Sequence, residues 1–351
     1  MTSKLEKWRF RLVVLAVFLA VCIGFTGWVF PILQYRAAFN FVTENATSLH
    51  LKERDANWLT KLLWGPEILV NVSLEDVDED DLKFLRELDT IESLDLMGLG
   101  VIDESIQNLE GMEQLESLGL VSTRVSGAGL DRLGQSIRRL GIYDSPVDDR
   151  GMESICRLKK LTHLDVESTL LTDTGCRNLG SLTQLETLSI LGSPLTDQVM
   201  PAIGALKHMT HLSLWDARIT DVGLRQLRGL PIEKLSLFNC HAVAGSGLDA
   251  MNSLRILNLD GSALNDETAS SLESLSQVEY LYLDKTQITD AAVESFCRMP
   301  SLRYLNISRT RVGDRGVKLL SQKSAIELIE CEGLKVSQQT KQELDSSRFA
   351  F

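Results

Sequence analysis

The chain has 351 residues, 44% hydrophobic and 24% charged, and its 36 Lys and Arg face 48 Asp and Glu for a formal net charge of -12. That acidity argues against a general nucleic-acid binder, because neutralising phosphate needs a basic surface. With only seven prolines and ordinary charge content the chain is not of disordered type, and its length implies two or three globular domains unless one architecture grows by repetition.

The charge is divided along the chain. Lys4, Lys7, Arg9 and Arg11 against Glu6 give the first 30 residues +3, which leaves -15 on residues 31–351. Leu12 to Phe30 is a run of 19 residues without formal charge. As a helix it would be about 28 Å long at roughly 1.5 Å per residue, enough to span a bilayer. Trp8, Trp28 and Phe30 lie near its ends, where interfacial rings are favoured, and the basic cluster precedes it. The positive-inside rule then makes residues 1–11 a cytoplasmic N-terminus, 12–30 a transmembrane signal anchor, and everything beyond extracytoplasmic, in a periplasm or at a cell surface. A cleaved signal peptide would have a shorter apolar region and a small-x-small site. No such site precedes Pro31, and Val21 before Cys22 fits poorly with a lipoprotein box.

The six cysteines, Cys22, Cys156, Cys176, Cys240, Cys297 and Cys331, show no CxxC and no short paired spacing, which predicts neither a disulfide framework nor a zinc site. Residues 31–65 read as a helical stalk and N-terminal cap. YRAAFNFV continues a helical pattern, TENATS reads as a loop, and Leu51, Trp58, Leu59, Leu62 and Leu63 fall near one face of a second helix that would cover the first repeat.

From residue 66 to about 340 the chain repeats. A core L-x-x-L-x-L recurs with its second apolar position at Val72, Leu94, Leu118, Leu140, Leu164, Leu188, Leu212, Leu235, Leu257, Leu281, Leu305 and Ile329, in steps of 22 to 24 residues. In one such turn Met209, Leu212 and Leu214 lie on one side of a strand, and Ile219, Leu224, Leu227 and Leu230 follow, the last three on one helical stripe. Each unit is therefore strand, turn and short helix, with an apolar edge that only a neighbouring unit can bury. Residues 341–351 remain as a C-terminal tail. Thr172-Asp173, Thr196-Asp197, Thr220-Asp221 and Thr289-Asp290 place oxygens at the predicted helix starts, where free N–H groups need acceptors.

Three residues beyond each L-x-L stands a small polar residue: Thr123, Ser145, Thr169, Ser193, Cys240, Ser262, Thr286 and Thr310. Here the sequence resembles the leucine-rich-repeat family, whose L-x-x-L-x-L-x-x-N/C-x-L pattern implies an inward side chain that satisfies backbone groups between turns. Ala217, Val77, Leu99 and Leu334 depart from it. The form Ala217-Arg218-Ile219-Thr220-Asp221-Val222-Gly223-Leu224 resembles the bacterial, planctomycete-like class of these repeats. Members of that class often carry an N-terminal membrane segment and a WLxxLL cap, matched here by Trp58-Leu59-Thr60-Lys61-Leu62-Leu63. The resemblance implies an α/β solenoid, a right-handed horseshoe with a parallel concave sheet and short convex helices, preceded by one transmembrane helix. For activity it implies binding and no reaction.

The residues that alternate with the buried leucines point out of the sheet. Tyr143, Tyr280, Tyr282 and Tyr304 fall there, as do Trp215, Phe238, His163 and His211, and the same columns carry Glu167 and Asp284. These ten form the expected partner-binding face, and the outward column that runs from Glu75 through Trp215 and Phe238 to Glu332 has an apolar and aromatic middle flanked by acidic ends. Aromatic residues suit strands in any case, yet exposed ones also make interface anchors. His163, Asp165 and Glu167 share one strand face, but the first and last would be about 13 Å apart, too far to chelate one ion. Gly127-Ala128-Gly129 with Gly134 lacks the Lys-Ser/Thr ending of a phosphate loop. No catalytic residue, metal or cofactor is expected, and the partner is an unknown protein. The rival readings are a substrate-receptor adaptor of an enzyme or ubiquitin-ligase-type complex, and an envelope protein that associates with itself.

Overall fold

The computed structural model describes residues 30–56, 60–61, 67–77, 82–83, 85–167 and 170–351. The expected membrane run, apart from Phe30, lies outside these residues, as do Trp58, Leu59, Leu62, Leu63 and Thr169. Among the described residues no helix is long and apolar enough to cross a membrane.

The described strands form one 14-stranded sheet in strict chain order. The repeat strands are β2 (Glu67–Glu75), β3 (Ser93–Met97), β4 (Ser117–Val121), β5 (Arg139–Tyr143), β6 (His163–Glu167) and β7 (Thr187–Leu191). They continue through β8 (His211–Leu214), β9 (Lys234–Ser236), β10 (Ile256–Asn258), β11 (Tyr280–Tyr282), β12 (Tyr304–Asn306) and β13 (Leu328–Glu330). All pair in parallel, and the register is the one that the sequence period predicts. Val72, Leu94, Leu118 and their successors to Ile329 face one another across all twelve strands. Opposite the sheet run short α-helices such as Asp149–Ile155 and Asp314–Ser321, interspersed with 3-10 turns such as Gly175–Ser181. Leu212, Leu214, Ile219, Leu224 and Leu227 are buried between the two layers. Strands sit about 4.8 Å apart and helices need about 10 Å, so the stack curves with its sheet on the concave side.

The polar ladder lies where the family pattern implies. Thr123, Ser145, Ser193, Ser262 and Thr286 are buried. The Ser145 hydroxyl donates to the Tyr143 carbonyl at 3.0 Å and accepts the Thr123 N–H at 3.1 Å, while Thr286 Oγ1 donates to the Leu283 carbonyl at 2.8 Å.

Both ends correct the sequence reading. Helix α1 (Phe30–Asn45) buries Tyr35, Ala38 and Val42 on the first coil, but TENATS is not a loop. Its Thr43–Asn45 completes the helix, and from Ala46 the chain becomes β1 (Ala46–Glu53), antiparallel to β2 with Leu49 opposite Val72 and Leu51 opposite Leu69. Leu51 is thus in a strand and not on a second helix: the first parallel strand has an open row of backbone donors and acceptors, and pairing satisfies it. At the other end a helix, Gln338–Glu343, runs across the expected boundary into the tail, and the tail supplies a last strand, β14 (Phe349–Ala350), parallel to β13. Arg348 holds it down by donating to the carbonyls of Lys323 and Ile326 at 2.8 and 2.9 Å and of Ser321 at 3.2 Å.

The threonines and aspartates of T-D-x-G divide their labour. The threonine caps its own helix: Thr220 Oγ1 accepts the Val222 N–H at 3.1 Å. The aspartate reaches forward into the next coil. Asp197 accepts the Thr220 N–H at 2.7 Å and its hydroxyl at 2.6 Å, Asp173 does the same to Thr196 at 2.8 and 2.6 Å, and Asp266 to Thr289 at 2.7 and 2.6 Å. Asp149 serves Thr172, Asp290 serves Gly313 and Gly316, and Asp221 serves Ala244, Gly245 and Gly247. The glycine leaves room for this carboxylate: a Cβ on Gly223 would strike the Asp197 carboxylate, and one on Gly247 the Asp221 backbone. Asp197→Ala removes two bonds between coils and is expected to cost about 1–3 kcal/mol. Gly247→Ala is expected to cost a similar amount, about 1–3 kcal/mol, through overpacking against backbone. Gly134→Ala, whose Cβ would meet only Ser136 at ordinary contact distance, is the neutral control. Urea unfolding followed by tryptophan fluorescence measures all three, and an Asp197→Ala protein as stable as the parent would show that the carboxylates do not join the coils.

Candidate partner-binding surface

Because the inward leucines fix the pleat, the alternate residues stand on the concave face. The ten expected residues resolve into three groups and one exception.

The first group centres on Tyr143 at the end of β5. Gly141, two residues earlier, makes room for its ring: a Cβ there would lie 2.9 Å from Tyr143 Cε2. Asp165 on β6 lies beside the phenol, and burial, followed by the charge of Asp165, raises the phenol's pKa. Burial likewise raises the Asp165 carboxyl above its ordinary value. His163 and the exposed Glu167 flank Asp165 on the same strand face. His163 Nδ1 lies 2.9 Å from Thr162 Oγ1, and His211, on β8, repeats the arrangement with Thr210 at 2.8 Å. Burial, aided by Lys234, lowers the His211 pKa, favouring the neutral ring.

The second group is Trp215 and Phe238, just past β8 and β9. Their ring centroids are 5.3 Å apart, and the indole N–H donates to Ser236 Oγ at 3.0 Å. Trp215 nonetheless keeps 37% of its surface exposed. The third is a tyrosine cluster on β11 and β12, with Tyr280 and Tyr304 centroids 6.0 Å apart and those of Tyr282 and Tyr304 4.8 Å apart.

Asp284 is the exception. It is buried, and Arg309 grips it with Nε at 2.8 Å and Nη2 at 3.0 Å. Its carboxylate is spent inside the protein and offers a partner little surface. Its column neighbour Asp260, not singled out by the sequence, is the more available group. Burial pushes Asp260 up to about 6, and its Oδ1 accepts the Asp284 N–H at 2.6 Å.

Two further features escaped the sequence. The residue after the last outward position has a positive φ in coil after coil: Asp76, Gly98, Ser122, Asp144, Gly192, Asp216, Asn239, Gly261, Lys285, Arg309 and Gly333. This left-handed step turns each strand toward the convex side while its N–H still reaches the next coil, as from Asp216 to the Phe238 carbonyl at 3.0 Å. The enrichment in Gly, Asn and Asp at that column was its one signal. The second is a cavity of about 430 Å³ lined by Asp144, Ser145, Pro146, Glu167, Leu170 and Leu191, at the rim beside Tyr143. Pro146 and Leu170 belong to loops, outside the strand alternation that guided the prediction.

Among the described residues no group of three His, Cys, Asp or Glu side chains is placed to hold a metal ion. The described cysteines are free thiols, and burial pushes Cys156 to about 11 and Cys176, Cys240 and Cys331 to about 12.

A stack of parallel strands with a buried leucine ladder, an inward polar ladder and an aromatic concave face defines a leucine-rich-repeat solenoid, the architecture that extended binding surfaces use. Residues 252–312 match the family described as Leucine rich repeat. No curated protein matches the sequence. Among solved structures, an internalin from Listeria monocytogenes is similar with a TM-score of 0.59 at 15% identity, over 80% of this chain and 86% of that one. The structure of the Rad7 and Elc1 complex of yeast is similar with a TM-score of 0.56 at 15% identity, covering 97% of this chain and 95% of that one. The Arabidopsis receptor kinase HAESA, in complex with the peptide hormone IDA and the co-receptor SERK1, gives a TM-score of 0.52 at 15% identity, over 76% of this chain and 50% of that one. At these identities the likeness is one of fold.

The Asp260 carboxyl carries a sign for stability. Unfolded it titrates near 3.9 and folded at about 6, so the folded state binds the proton more tightly and stability falls as pH rises from about 4 to 6. Asp260→Asn is expected to raise the melting temperature by about 2 °C or more at pH 7.5, with the gain vanishing by pH 4. Scanning calorimetry across that range reads it, and a gain that persists at pH 4 would locate the effect elsewhere.

Proposed function

We propose that this protein is a non-enzymatic protein-binding or scaffold module of the bacterial, membrane-anchored leucine-rich-repeat type. Residues 12–30 hold it in a membrane, residues 1–11 lie in the cytoplasm, and the solenoid is displayed in the periplasm or at the cell surface. A protein partner docks on the concave face, with Trp215 and Phe238 at its centre.

The observation that carries this reading is the Trp215–Phe238 pair. Two large rings at 5.3 Å, one of them with its N–H already satisfied, stand on a rigid sheet and remain open to solvent. Burying such rings against a partner releases water at little further cost in side-chain entropy, which is why aromatic anchors dominate interface energies. HAESA, with the same fold, is known in complex with a peptide hormone. The anchor rests on the apolar run and on the +3 head that precedes a -15 body.

Cross-linking the full-length protein in its native cell is expected to recover a partner. Trp215→Ala with Phe238→Ala should reduce that yield at least about tenfold, as loss of a hot spot does, while shifting the melting temperature by less than about 2 °C. Undiminished capture by the double variant would exclude the concave centre. For topology, a reporter active only in the cytoplasm and fused after Phe351 is expected to be silent, and an active fusion would overturn the orientation.

A further inference from the structure

The tyrosine cluster has a charge environment that the Trp215 centre lacks. Tyr280 and Tyr282 on β11 and Tyr304 on β12 present their rings on the concave face, with Tyr280 exposed to 39%. Glu330 on β13 lies near enough to act electrostatically on the Tyr304 hydroxyl. Asp260, just beyond β10, lies on the other side, and both Glu330 and Asp260 act electrostatically on Tyr282. Two carboxylates therefore bracket three aromatic rings.

The cations nearby are committed. Arg309 chelates Asp284 and reaches Glu332 at 3.3 Å, Arg255 pairs with Glu279 at 2.6 Å, and Arg303 pairs with Glu327 at 3.3 Å. Lys285 stands 3.9 Å from Asp284. Among the described residues no Lys or Arg lies within ion-pair distance of Asp260 or Glu330. The outward columns of repeats 9 to 12 read Ile256, Asn258, Asp260; Tyr280, Tyr282, Asp284; Tyr304, Asn306, Ser308; and Leu328, Glu330, Glu332, with acids but no base.

The faces of aromatic rings carry negative potential and attract cations, Arg and Lys above all, and a half-desolvated carboxylate strengthens that attraction. An anionic ligand would be repelled, and a neutral apolar one would cover two carboxylates that have no ion-pair partner among the described residues, Asp260 keeping the Asp284 N–H and the longer-range charge of Arg309. We infer that the concave surface of repeats 9 to 12 is a receptor for a basic side chain, arginine or lysine, presented by the protein partner, with the cation over the Tyr280, Tyr282 and Tyr304 rings and Asp260 and Glu330 as its counter-charges. This deepens the partner-binding reading above and rests on it for the identity of the donor as a protein. The chemistry of the receptor rests on the cluster alone.

The test uses full-length protein carrying 3-fluorotyrosine, in nonionic detergent micelles, observed by fluorine NMR. The five tyrosine resonances are assigned with single Tyr→Phe variants. The probes are N-acetyl-arginine-N-methylamide and its lysine counterpart, with the citrulline and norleucine analogues as neutral controls of matching shape. The cationic probes are expected to move the Tyr280, Tyr282 and Tyr304 signals saturably in the millimolar range and to leave Tyr35 and Tyr143 in place. Asp260→Asn and Glu330→Gln should each weaken binding at least about threefold, and the unchanged Tyr143 signal reports that the sheet is intact in each. Equal shifts with citrulline, wild-type affinity in both variants, or no saturable shift would each overturn the proposal. The titration needs no partner, so it separates the two readings. Binding of arginine together with undiminished capture by the Trp215/Phe238 double variant would sink the Trp215 centre alone, and loss of capture without any titration would sink the receptor alone.

Discussion

The solenoid depends on a carboxylate that leaves its own coil. At the start of each convex helix the first N–H groups have no partner within the helix, and a threonine hydroxyl can satisfy only one of them. A second is satisfied by the aspartate of the preceding coil, which takes both the N–H and the hydroxyl of that threonine, as Asp197 does to Thr220. A bond of this kind cannot form within an isolated repeat. It makes the convex side cooperative along the stack in the way that the leucine ladder makes the interior cooperative, and it explains why the glycine of T-D-x-G tolerates no side chain.

On the concave side the same regularity becomes a constraint on what the surface can carry. Strands in register bring the outward columns within one strand spacing of each other, so a large side chain must find space above its neighbours. Tyr143 lies against Gly141, and Asp95 occupies the space that a Cβ on Gly119 would take. The small residues of the middle column are thus the complement of the large ones beside them. Where the middle residue is itself large, as at Tyr282, the ring tilts at 43° against Tyr304.

The sequence disclosed the period, the strands and their register because a 22–24-residue spacing of leucines has one solution: each must face its equivalent. It disclosed the aromatic face for the same reason. What it concealed was long-range at the scale of one repeat. Asp173 and Asp197 look like caps of their own helices, and nothing local distinguishes that role from a bond to a residue 23 positions on. Asp284 reads as an outward acid, yet Arg309, 25 residues away, closes over it. The left-handed column mixes Gly, Asp, Ser, Asn, Lys and Arg, so no single residue type announces it. At the two ends the period gives no guidance, and there the open strand edge decided the outcome, drawing Ala46–Glu53 and Phe349–Ala350 into the sheet.

The carboxylate staircase also has gaps, and their positions bear on the surface. Gly127 and Gly245 stand where other coils carry the reaching aspartate, both with positive φ. The coil pair after Gly127 is joined at this level by the bond from the Asp148 N–H to the Ser126 carbonyl, and the pair after Gly245 by Ser271 to the Gly245 carbonyl. Between the gaps, Asp149, Asp173, Asp197 and Asp221 staple one block. Beyond them Asp266, Asp290 and Asp314 staple another. Trp215 and Phe238 belong to the first block and Tyr280, Tyr282 and Tyr304 to the second. The two aromatic clusters are therefore each fixed on a stapled platform, and the Gly245 joint lies between them. Fewer charge-assisted bonds cross that joint than cross any step within a block, so the relative setting of the two clusters has less resistance to change than the geometry within either.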